Sequence, residues 1–140
     1  MILKQHPTLV VAGDLLGDLN VWNIETKNLQ YSVPEPCTFL GQKRSLFRIA
    51  GAVVGMSQLE SSGTIAVAFG NDRVDLFSTS DAFDSLKTLR TIDLNSSALN
   101  LSPQRSDQYR YVRGILLTKN ELYICGMSGK YGLLLFDFWD

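Results

Sequence analysis

The chain has 140 residues, 45% of them hydrophobic and 19% charged, a composition that belongs to a folded globular chain and excludes intrinsic disorder. Thirteen Lys and Arg stand against fourteen Asp and Glu, so a net charge of −1 gives no global field for nucleic acid or an anionic membrane. Apolar runs such as Leu133 to Phe136 are too short to cross a bilayer, and the first residues carry no signal-peptide pattern. Cys37 and Cys125 each lie in an apolar setting. They read as two reduced, partly buried thiols of an intracellular protein, cytoplasmic or nuclear, that does not engage a membrane.

In chain order, Met1 to Gln5 reads as a short strand ending in a His6-Pro7 turn. Thr8 to Gly13 is a β-branched apolar run closing on glycine, and Asp18 to Trp22 is a second strand closing on an aromatic. A polar turn, Asn23 to Lys27, leads to a weaker strand, Leu29 to Val33. The same succession then returns. Ile49 to Leu59 is apolar, Glu60 to Gly63 is a turn, and Thr64 to Gly70 is a strand closing on glycine. Arg73 to Phe77 closes on an aromatic, and Leu86 to Leu94 is the weaker strand. A third pass runs through Tyr109 to Leu117, Leu122 to Gly126 and Gly132 to Phe136. The closing glycines lie 57 and 56 residues apart and the closing aromatics 55 and 59 apart, which gives a period near 56. No segment carries a helical period, although Ala82 to Leu89 could form a single turn. The expected class is all-β, built from four-stranded antiparallel meanders.

The boundaries that follow are three units, 1–40, 45–94 and 109–140, within one domain. Long connections, 34–44 and 95–108, separate them and would emerge together on one face of the stack.

These residues resemble a WD-repeat β-propeller. The best match is Thr8 to Thr26, where Trp22-Asn23 stands in the place of that family's Trp-Asp pair, with Phe77-Ser78 and Phe136-Asp137 in the equivalent places. The pattern departs from the family in three ways. No unit has the Gly-His pair, the period exceeds the usual 40 to 45 residues, and Leu16, Asn71 and Lys130 replace the aspartate expected six residues before the aromatic. The resemblance implies blades held by apolar packing without the family's buried hydrogen-bond network. Propellers close with about four to eight blades, whereas this length holds about two and a half repeats. The expectation is therefore an incomplete propeller segment, with a β-trefoil or a small β-barrel as the alternative folds.

Signals for catalysis are absent. His6 is the single histidine and has no partner placed near it, and the two cysteines are too far apart for a zinc site. Gly126-Met-Ser-Gly129-Lys130 departs from a phosphate-binding loop at Ile124 and Tyr131. Asp72, Asp75 and Asp81 read as exposed carboxylates of strands and turns. The expectation is a protein without catalytic residues, metal ligands or cofactor. Lys43, Arg44 and Arg48 end one long connection, and Arg105, Tyr109, Arg110, Tyr111 and Arg113 end the other. If both connections share a face, these side chains form one basic-aromatic patch for a partner. The resemblance implies a non-catalytic scaffold in a multi-protein assembly, with other protein subunits, a second copy or a completing propeller chain as partners. The alternative is an accessory RNA-associated subunit that positions nucleic acid for a catalytic partner.

Overall fold

A computed structural model describes residues 1–34, 51–70, 73–93, 112–126 and 133–137, with the backbone alone at Asp93, Arg113, Gly126 and 133–137. Eleven strands are formed among the described residues, numbered here in chain order. The first sheet is β1 (Ile2–Leu3), β2 (His6–Gly13), β3 (Leu19–Asn23) and β4 (Asn28–Val33), in that order across the sheet. The second is β5 (Val53–Leu59), β6 (Thr64–Phe69), β7 (Arg73–Ser78) and β8 (Lys87–Asp93). The third holds β9 (Val112–Leu117), β10 (Glu121–Gly126) and β11 (Leu133–Asp137), with β10 in the centre. All pairings are antiparallel. Among the described residues the three sheets remain separate and form neither a closed barrel nor a trefoil.

Strand alternation explains how the sheets stack. Along β6, Ile65, Val67 and Phe69 join one apolar cluster while Ala66 and Ala68 join another. The first cluster unites Leu3, Leu9, Val11, Leu19 and Val21 of the first sheet with Ile65, Val67, Phe69 and Phe77 of the second. The second unites Ala66, Ala68, Val74, Leu76 and Ile92 with Val112, Leu117, Leu122 and Ile124 of the third sheet. The middle sheet is thus covered on both faces, which is why β6 reads as a continuous apolar run.

One sequence landmark survives at the level of register and the other does not. Trp22 pairs with Val10, Phe77 with Ile65 and Phe136 with Leu122, so the three aromatics occupy the same rung of successive sheets. The glycines do not. Gly13 lies three residues after Val10, Gly70 five after Ile65, and Gly126 four after Leu122. They mark where strands stop, which different turn lengths allow to drift.

Three further details differ from expectation. His6 and Pro7 belong to β2, with the turn at Lys4 and Gln5. Pro7 is tolerated because the β1–β2 register breaks between Ile2 and Leu3, where no ladder N–H is required. Asp75 is buried at 2% exposure, because it sits on the rung face turned toward the first sheet and accepts a 2.9 Å bond from Arg73 Nε. Cys125 is exposed on β10 instead of partly buried, while Cys37 lies outside the described residues.

Gly13 is needed at the first seam. A Cβ there would lie 2.7 Å from Val53 Cγ2 and closer still to Val53 Cβ and Cγ1. The same approach lets the Val53 N–H donate to the Asp14 carbonyl at 3.0 Å. Gly63, at φ 61°, supplies the left-handed turn residue between β5 and β6, and a Cβ there would collide with the Gln5 side chain.

Candidate protein-docking surface

The seams also carry polar links that apolar packing alone did not predict. Gln58 donates from Nε2 to the Ile2 carbonyl at 2.8 Å and accepts the Lys4 N–H at Oε1 at 3.0 Å. Gln5 Nε2 reaches the Glu60 carbonyl at 2.9 Å, and Lys4 pairs with Glu60 at 3.5 Å. Between the second and third sheets, Ser57 Oγ accepts the Leu117 N–H at 2.9 Å. Without homologous spacing or charge pattern, amides and hydroxyls of this kind leave no trace in a sequence.

A bulge organises the outer part of the first seam. The β3–β4 register passes from Val21–Tyr31 to Trp22–Leu29 and leaves Gln30 unpaired, so both Gln30 and Tyr31 reach the second sheet. Gln30 Nε2 donates to the Phe83 carbonyl at 3.1 Å and the Tyr31 hydroxyl to the Ala82 carbonyl at 2.6 Å. His6 stands edge-on to Phe83, with ring centroids 5.4 Å apart. The single histidine is therefore a packing residue at the seam. Burial, with Asp84 adding to it, pushes the Tyr31 hydroxyl up to about 12. The protonated form is favoured in the folded state, so its contribution is complete below the unfolded value near 10 and is lost as pH rises toward 12. Chain stability is expected to fall across that window, and Tyr31→Phe to flatten the fall, as read by urea unfolding at stepped pH. An undiminished fall in the variant would remove Tyr31 from this role.

Among the described residues nothing covers the opposite face of the first sheet. Register aligns Ile2 with Val10, Val10 with Trp22 and Trp22 with Leu29, an apolar row across all four strands. Ile2 is 54%, Trp22 42% and Leu29 46% exposed. The equivalent face of the second sheet carries Ile65 and Phe77, and there it is buried against the first sheet. What covers Phe77 is thus on view, while among the described residues Trp22 has no such cover. The turns are built locally: Asn23 Oδ1 accepts the N–H groups of Glu25 and Thr26, and Asp14 Oδ1 those of Leu16 and Asp18.

Of the basic-aromatic patch, Lys43, Arg44, Arg48, Arg105, Tyr109, Arg110 and Tyr111 lie outside the described residues. Arg113 is on β9, where its backbone alone is described. Trp22 and Leu29 were not singled out as partner contacts from sequence. The signal was present: an aromatic and a leucine on two strands at one rung, visible only once the register is fixed. Among the described residues no group of three His, Cys, Asp or Glu is arranged to hold a metal ion, and no helix is long and apolar enough to cross a membrane.

No family model matches the sequence, and comparison with curated proteins gives no match. Solved structures do match. Sqt1 of Saccharomyces cerevisiae superposes at a TM-score of 0.64 with 13% identity, covering 98% of this chain and 31% of that one. The β-propeller domain of Cps50 (Swd1) from Myceliophteria thermophila gives 0.60 and 13%, covering 95% of this chain and 32% of its own. The WD40 repeats of RRP9 give 0.58 and 14%, covering 86% and 32%. The chain spans about a third of the length of these proteins. Its successive sheets, stacked by their apolar faces with an aromatic on a shared rung, have the fold of an incomplete segment of a WD40 β-propeller.

Proposed function

We propose that the chain is a non-catalytic scaffold for protein–protein interaction within a multi-subunit assembly, one propeller segment of units 1–40, 45–94 and 109–140. The observation that carries this reading is the open row Ile2–Val10–Trp22–Leu29, whose counterpart on the second sheet is buried by a neighbouring sheet. An apolar sheet face of this kind, with an aromatic at its centre, is an anchor for another polypeptide. The partner brings a matching apolar sheet face, from another subunit or a second copy, in the way the first sheet covers Phe77. An intracellular setting, cytoplasmic or nuclear, fits a partner of this kind.

The test is light scattering on the eluting chain, alone and beside candidate subunits, for the native sequence and for Trp22→Glu with Leu29→Glu. The native chain is expected to associate, and the double variant to elute as a monomer with its melting unchanged. A native chain that is monomeric and stays monomeric in cell extract would contradict the reading. Association that survives both substitutions would move the interface elsewhere.

A further inference from the structure

Among the described residues the stack has two outer faces, and they differ in chemistry. On the first sheet the row Ile2–Val10–Trp22–Leu29 is flanked by Thr8 and Ala12 of β2 and by Asn20 of β3, which strand alternation puts on the same side. Ser32 Oγ donates to Asn20 Oδ1 at 2.7 Å and engages that amide locally. Every one of these side chains is uncharged. The third sheet presents something else. Leu122 and Ile124 of β10 face the second sheet, so alternation turns Glu121, Tyr123 and Cys125 outward. By register these three stand where the first sheet has Leu9, Val11 and Gly13, the residues that meet its neighbour. The Tyr123 hydroxyl donates to Glu121 Oε2 at 2.6 Å. The seam behind them is already looser, with a groove of about 490 Å³ beside the β8 bulge at Leu89. A sheet of another copy laid on this outer face would strip water from the Glu121 carboxylate, a cost that apolar contact does not recover. Copies of the chain are therefore poorly suited to stack head to tail as its own sheets do.

We infer, on the reading that the Trp22 face is the docking surface, that its occupant is the same face of a second copy, related by a two-fold axis. A two-fold contact sets one patch against itself, and a neutral patch does so without like-charge repulsion. With the axis along the strands and midway between β2 and β3, Trp22 of each copy lies over Val10 of the other, and Ile2 over Leu29. Each indole is then opposed by a small side chain, which suits the spacing of about 10 Å between packed sheets. Four apolar side chains from each copy make a small interface, so the dimer is weak and dissociates on dilution.

The test combines sedimentation of the 140-residue chain over a dilution series with disulfide trapping between copies. Trapping uses a Cys37→Ser, Cys125→Ser background whose melting matches that of the native chain. A monomer–dimer equilibrium without larger species is expected, and Trp22→Ala should weaken it by about tenfold or more. Chains bearing Ile2→Cys and Leu29→Cys should cross-link when mixed, and neither should do so alone. Dimerisation indifferent to Trp22→Ala, or Ile2→Cys chains that cross-link with one another, overturns the inference. A bond between Val10→Cys and Tyr123→Cys chains, or open-ended growth with concentration, places the copies head to tail and overturns it as well. A chain that stays monomeric when concentrated, yet enters a larger complex in cell extract through Trp22, overturns the second copy and leaves the scaffold reading standing. A chain monomeric under both conditions overturns both.

Discussion

Replacing Phe69 with alanine is expected to lower the unfolding free energy by about 3–5 kcal/mol, the range for deleting a buried aromatic. Phe69 is the last residue of β6 and is almost fully buried in the cluster shared by the first two sheets. Its removal withdraws apolar surface from the seam and leaves a cavity that two hydrogen-bonded sheets cannot collapse to fill. Against a typical total stability of about 5–15 kcal/mol the loss is large. Leu29→Ala, on the open face, is expected within about 0.5 kcal/mol of the native chain. Urea unfolding of both variants reads the contrast directly. A Phe69 variant that loses less than about 1 kcal/mol, below the range for such deletions, would mean that the seam is not packed as described.

Gly13→Ala is expected to destabilise by about 1–3 kcal/mol, the usual cost of an overpacked site. The cost arises from the Val53 backbone approach and not from conformation at Gly13, because the built Cβ meets Val53 Cβ as well as its methyls. That geometry makes the rescue specific. Val53→Ala leaves a Cβ in place and should relieve little, whereas Val53→Gly should show a clear favourable coupling with Gly13→Ala in a double-mutant cycle. Equal coupling in both cycles would locate the clash in the methyl groups alone. No coupling in either would separate the two sheets at this point.

Most of the fold was legible because it rests on patterns of period two and on repetition. The strands Thr8 to Gly13, Asp18 to Trp22 and Arg73 to Phe77 stand out by alternation and composition, and their aromatics fall on one structural rung. The glycines gave nearly the same spacing while marking different rungs, since turn length sets where a strand ends. What stayed hidden was relational. Asp75 reads as an exposed strand carboxylate until a second sheet covers its rung and Arg73 folds over it. The bulges at Gln30 and Leu89 depend on strand pairing, and they direct the side chains that build one seam and leave a groove in the other. The Trp22 row needs the register of three pairings before it becomes a surface. Composition pointed instead to the arginines and tyrosines of the long connections, where charge and aromaticity are conspicuous without any knowledge of the neighbours.

The central claim is that the three sheets stack in sequence through their apolar faces, and cross-sheet proton contacts in solution test it most directly. Nuclear Overhauser spectra of methyl-labelled protein should connect the Gly13 α-protons to the Val53 methyls. In the same sample they should connect the Gly55 α-protons to the Ile115 side chain, whose Cγ1 lies 3.6 Å from a Cβ built at Gly55. Both contacts together, beside the ladder contacts within each sheet, are the predicted result. Intact ladders with neither cross-sheet contact would contradict the stacking and everything built on it.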